Sequence, residues 1–77
     1  MAKKKNSSTS RNRVFKRIEL IGTSNQSFED AIQNAVMRAG ETLSDLKWFE
    51  VKEMRGAVNN QGIAEYQVVL VISFEVH

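Results

Sequence analysis

From Val14 the chain alternates in the manner of a β-strand. Val14, Ile18 and Leu20 fall on one face, with Lys16 among them, while Phe15, Arg17, Glu19 and Ile21 fall on the other. β-branched and aromatic residues suit a pleated surface, so residues 14–21 are predicted to form the first strand. Gly22-Thr23-Ser24-Asn25-Gln26 breaks the alternation and reads as a loop. Beyond it the period lengthens. Phe28, Ala31, Ile32, Ala35, Val36, Ala39 and Leu43 recur at the spacing of one helical face, with Glu29, Asp30, Gln33, Asn34, Arg38 and Glu41 opposite. The spacing predicts a helix over residues 28–43, capped by the Ser27 hydroxyl and favoured by two acids in its first turn. The alanines allow close approach to a sheet, and Met37, at the edge of the stripe, reads as a gap filler.

After a short connector, alternation returns twice. Residues 48–58 predict a second strand, with Phe49, Val51, Glu53 and Arg55 on one face and Trp48, Glu50, Lys52 and Met54 on the other. Gly56 inside this run suggests a bulge or bend. Asn59-Asn60-Gln61-Gly62 is rich in residues that tolerate positive φ and predicts a turn. Residues 64–76 predict a third strand. Tyr66, Val68, Leu70, Ile72, Phe74 and Val76 make one face apolar throughout; Glu65, Gln67, Val69, Val71, Ser73 and Glu75 make the other mixed. The fold class is therefore α+β: a β-α-β-β protomer whose three-stranded antiparallel sheet wraps one helix. One helix covers only one face of such a sheet, so Val69, Val71 and Trp48 are expected to lie bare on the other. Exposed apolar area of that kind marks an interface and predicts a homo-oligomer.

Length strengthens that expectation. A chain of 77 residues forms one small domain, and a lone core of that size supplies only about 3–5 kcal/mol. There is no cysteine, which excludes disulfides and thiolate metal sites, and the single histidine, His77, argues against a histidine metal centre or general base. Oligomerisation is left as the source of further burial.

The net charge of +2 is unevenly spread. Lys3, Lys4, Lys5, Arg11 and Arg13 give residues 1–13 five cations and no acid, leaving 11 − 5 = 6 cations against 9 acids in residues 14–77. Residues 1–13 are expected to be a disordered basic tail, and residues 14–77 the folded domain, mildly acidic and without a basic face for nucleic acid. No apolar run reaches the roughly 18 residues that span a bilayer, and no apolar N-terminal segment reads as a signal peptide. The sequence predicts a soluble, cytoplasmic protein with neither membrane nor nucleic-acid partners.

Catalytic motifs are missing. No Gly-x-Gly-x-x-Gly, phosphate loop or nucleophile elbow occurs. Glu50, Lys52 and Glu53 read as the mixed charges of an exposed strand, because a general acid/base pair needs burial that nothing here indicates. Trp48 has two readings, packing or a stacking platform for a planar ligand; polar Glu50 and Lys52 beside it favour the second. Gln67 interrupts an apolar strand, where a buried glutamine needs partners for carbonyl and amide alike. It pairs across the sheet, or offers a donor and an acceptor to the edge of a heterocycle.

Three segments carry a resemblance. Val14-Phe15-Lys16-Arg17-Ile18-Glu19-Leu20-Ile21-Gly22-Thr23-Ser24, Trp48-Phe49-Glu50-Val51 and Glu65-Tyr66-Gln67-Val68, in that order, resemble the dodecin family over residues 14–76. The resemblance implies a homododecameric hollow shell of cubic symmetry that binds flavin (riboflavin, FMN or related forms) without turnover, for storage, buffering and photoprotection. It implies that Trp48 stacks on the isoalloxazine ring and that Gln67 hydrogen-bonds its polar edge. Arg55, before Gly56, is placed to meet a flavin tail or phosphate, and Glu53 stands where some members carry an acid near the ribityl chain. Some bacterial members also bind coenzyme A, although no motif here assigns such a site.

A turn centred near Asn60-Gln61 brings Gln67 opposite Met54, not Trp48. The six intervening residues span roughly 20 Å of strand, too far for one ring within a protomer. Trp48 and Gln67 are therefore expected to serve one flavin only from different subunits. Two alternatives remain beside flavin storage: a small flavin-dependent reductase, which needs an open face for substrate, and a purely structural oligomer in which Trp48 and Gln67 only pack.

Overall fold

A computed structural model describes residues 12–77 as β1 (Val14–Ser24), α1 (Phe28–Gly40), β2 (Leu46–Asn59) and β3 (Gly62–Val76). The sheet order is β1-β3-β2, and both pairings are antiparallel. The expected α+β, β-α-β-β architecture is what forms. The basic tail lies, up to Arg11, outside the described residues. No helix among the described residues is long and apolar enough to cross a membrane.

The helix lies across β1 and β3. Ala31, Ala35 and Ala39 are buried with Val68, Leu70 and Ile72, and Ile18, Leu20, Phe28, Ile32, Val36 and Leu46 pack around them. The small alanine side chains let the helix axis come close to the sheet. Closest contact falls at Gly22, where an added Cβ would lie 2.1 Å from the Ala31 carbonyl oxygen. This explains why β1 runs through Gly22-Thr23-Ser24 rather than stopping at Ile21. The glycine that reads as a breaker serves close backbone approach inside a strand.

Ser24 ends β1 and helps to start the helix. Its hydroxyl donates to the Asp30 carboxylate at 2.7 Å and accepts from the Gln26 N–H at 2.9 Å. Ser27 is the N-cap as predicted, accepting from the Asp30 N–H at 3.0 Å. At the other end α1 stops at Gly40, three residues before the predicted limit. The Leu43 N–H still bonds the Ala39 carbonyl at 3.0 Å, so one further turn keeps Leu43 on the apolar stripe without continuing the helix. Asp45 then takes a positive φ of 61°, and His77 at the end of β3 contacts its carboxylate. The His77 hydrogen bond holds the Asp45 carboxyl below its usual range against the opposing effect of desolvation, and the His77 and Lys47 charges add to the lowering.

The β2–β3 turn is Asn60-Gln61, closed by the Asn59–Gly62 pair, with Gly62 at φ 117°. Gly56 pairs regularly with Tyr66, so no bulge forms at the glycine itself. The register instead slips between Leu46 and Trp48, Val51 and Glu53, and Ala57 and Val58. The middle slip matters most. Val51 opposes Leu70 and Glu53 opposes Val69, so Lys52 is the extra residue of a β-bulge. Glu53 and Arg55 consequently share the face of Trp48 and Glu50, where strict alternation had separated them. Phe49, Val51 and Met54 share the other, helix-side face.

A second correction concerns the sheet's far side. Val69 and Val71 are not bare there but only 6% and 5% exposed. Arg17 of β1 reaches across β3 to Glu50 of β2 at 3.0 Å, and Lys52 reaches back to Glu19 at 2.9 Å. The aliphatic stems of these side chains roof the valines. Exposed ion pairs contribute only about 0–1 kcal/mol, so covering the valines is the larger part of what they do. Trp48 does stay exposed on that face, at 46%, but further uncovered apolar area lies on the opposite one: Phe49, Val51 and Met54 stay 46%, 41% and 51% exposed, beyond the reach of α1. The argument for an interface survives, but not on the valines.

Candidate functional site

The four residues singled out in the sequence form two groups. At one end of β2, Trp48 opposes Ser73. Its ring lies 4.8 Å from that of Phe15 and tilts 55° to it, and Trp48 stays 46% exposed. Arg13 sits over the other side of this corner, 5.1 Å from the Phe15 centroid. Glu75, its side chain only 13% exposed, faces Arg13 at 3.9 Å and Lys47 at 3.8 Å. The corner therefore offers an aromatic surface bordered by cations, with Phe15 setting the pose of the indole.

Toward the hairpin tip, Gln67 opposes Arg55. The Arg55 Nε–H donates to Gln67 Oε1 at 2.8 Å, and its Nη1 lies 3.3 Å from Glu53 Oε1. Gln67 Nε2 donates to Glu65 Oε1 at 2.9 Å. Gln67, Arg55 and Glu53 are thus brought together, and the bulge at Lys52 makes this possible. Two neighbours escaped the sequence reading. Glu65 shares a face with Gln67 by the two-residue period, a signal available from alternation alone. Phe15 meets Trp48 only through the β1–β3–β2 register, which no local pattern reveals.

The two groups stay apart within one chain. Ser73, opposite Trp48, lies six residues along β3 from Gln67, roughly 20 Å at the usual rise of a strand. A groove of about 680 Å³ runs between β1 and α1, lined by residues that include Ile21, Met37, Arg38 and Leu43 but neither Trp48 nor Gln67. Among the described residues no three His, Asp or Glu side chains gather as metal ligands do.

A sheet that wraps one helix, with an exposed indole at one end of its hairpin and a glutamine–arginine pair toward the other, is the build of a small binding protein. The chain belongs to the dodecin family, whose sequence profile matches residues 14–77. It is 53% identical over 62 residues to the dodecin of Thermus thermophilus, covering 80% of this chain and 90% of that protein. It is 39% identical over 62 residues to the calcium dodecin of Mycobacterium tuberculosis, covering 80% and 87%. A crystal structure of the Thermus thermophilus protein superposes with a TM-score of 0.83 at 50% identity, covering 86% of this chain and 97% of that one.

Proposed function

We propose that the protein binds flavin, riboflavin or FMN, without turning it over, and holds it for storage and photoprotection in an assembly of identical subunits. The observation that carries this reading is the exposed Trp48 indole, oriented by Phe15 on a sheet whose hairpin also presents Gln67 and Arg55. Indole is electron-rich and oxidised isoalloxazine electron-poor, and aromatic pairing of this kind adds about 0.5–1.5 kcal/mol beyond area burial. Gln67 retains one N–H and one carbonyl lone pair for the ring's polar edge. Arg55, and less directly Glu53, stand where a ribityl chain or its phosphate would lie. Flavin supplies visible absorption and photochemistry; the chain's part is to stack, orient and quench, the indole donating an electron to the excited ring.

The separation of Trp48 from Gln67 implies that one ring draws them from two copies of the chain. Binding then depends on assembly, with twelve subunits in a closed shell as the family resemblance implies and the Phe49, Val51 and Met54 stripe as the buried surface. Neither a reductase nor a calcium site gains support. The carboxylates around Trp48 are already engaged, Glu75 by Arg13 and Lys47 and Glu50 by Arg17, and Glu53 and Glu65 already contact Arg55 and Gln67. Coenzyme A has no site here that the residues define, and the cytoplasm is the expected compartment.

Titrating FMN and riboflavin with the assembled protein while following flavin fluorescence tests the reading. The unaltered protein should quench strongly, and Trp48→Ala should lose most of the quenching and weaken binding at least about tenfold. Equal quenching by both proteins would remove Trp48 from the site. No quenching by either would leave a structural oligomer.

A further inference from the structure

The neighbours of Gln67 dictate which way its amide points. The Arg55 Nε–H can only donate, and it meets one amide atom at 2.8 Å, which must be Oε1. An ionised carboxylate can only accept, and that of Glu65 meets the other atom at 2.9 Å, which must be Nε2. Turning the amide over would bring its carbonyl against a carboxylate and its NH₂ against a guanidinium, repulsive at both ends. Arg55 fixes only the carbonyl end of the amide, and its Nη1 also lies 3.3 Å from Glu53; the NH₂ end is held by Glu65. Glu65 shares a strand and a face with Gln67, two residues away, and its carboxylate has no other hydrogen-bond partner among the described residues.

We infer that Glu65 is a positioning residue of the flavin site. It holds the Gln67 amide in one of its two orientations, so that the remaining N–H and lone pair meet the ring's polar edge with fixed polarity. The inference rests on the flavin reading above. A ring stacked on Trp48 cannot rotate to follow a flipped amide, so a Gln67 held by Arg55 alone presents a donor where an acceptor is required more often than one held at both ends. Glu65 need not touch the ring to affect its affinity.

The test is a double-mutant cycle read by riboflavin quenching, with assembly checked by sedimentation. The four proteins are unaltered, Glu65→Gln, Gln67→Ala and the double variant. Glu65→Gln keeps the side chain's size but presents an amide that either donates or accepts, so the contact that fixes the NH₂ end is weakened and Arg55 alone opposes the flip. With Gln67 present it should weaken riboflavin binding about three- to tenfold; with Gln67→Ala the same change should alter affinity by less than about twofold. A purely structural Glu65 gives equal losses in both backgrounds, and that result overturns the inference while leaving the flavin reading intact. Unchanged affinity in Glu65→Gln overturns it too. Absence of quenching by the unaltered protein overturns both. Should Glu65→Gln fail to assemble, Glu65→Ala runs the same cycle with the same criteria.

Discussion

A Cβ on Gly22 would lie 2.1 Å from the Ala31 carbonyl oxygen and 2.9 Å from Ala35 Cβ. The first of these is backbone and cannot swing aside, so the helix would have to move off the sheet. Gly22→Ala is predicted to destabilise the fold by about 1–3 kcal/mol or more, read as a lower denaturant midpoint. An unchanged midpoint would contradict so close an approach of α1 to β1. In the sequence, Gly22 is legible only as a breaker, because its need for space arises from a helix later in the chain. Trp48 and Gln67 were legible for the opposite reason. Each is chemically out of place in its own strand, an exposed indole beside charges and an amide in an apolar run. That contrast is local and needs no partner to be seen.

At the scale of elements, period alone located one helix and three strands, and the N-cap followed from Ser27 and the acids behind it. The Lys52 bulge was not legible. A bulge is a relation between two strands, and alternation along β2 looks unbroken until β3 is laid beside it. Placing Glu53 and Arg55 with Trp48 depends wholly on that one extra residue. The same limit hid the ion pairs that roof Val69 and Val71, since they join strands separated by a third. One element-level contact carries a pH dependence. His77 ties the end of β3 to Asp45 before β2, holding the Asp45 carboxyl below its ordinary 3.8. A folded-state pKa depressed in this way gives stability that is complete above the unfolded value and lost as pH falls through the folded one. Asp45→Asn should therefore lower stability at neutral pH, and its difference from the unaltered protein should shrink below pH 3.8. A difference that stays constant across that range in acid-unfolding curves would contradict the assignment.

The whole molecule is too open to stand alone. Its radius of gyration is 17.6 Å, with extents of 66 × 21 × 13 Å. A compact chain of this length would measure about 11–12 Å. The hairpin projects past the helix, β2 is exposed along nearly its whole length, and its apolar stripe has nothing on it. The sequence expected bare apolar area from the correct premise, that one helix cannot cover the sheet; Trp48 is exposed as expected, but Val69 and Val71 are covered and Phe49, Val51 and Met54 on the other face are not. Assembly and function meet in the distance between Trp48 and Gln67, and mixing subunits measures that directly. Trp48→Ala and Gln67→Ala are each expected to bind riboflavin poorly. If a ring takes its indole from one copy and its amide from another, co-assembled equal amounts of the two contain intact sites, roughly a quarter of the total on random mixing in a symmetric assembly. The account predicts that riboflavin quenching returns in the mixture to about that fraction of the unaltered protein's. A mixture that quenches no better than the two variants measured apart would contradict it, and would place the whole site within a single chain.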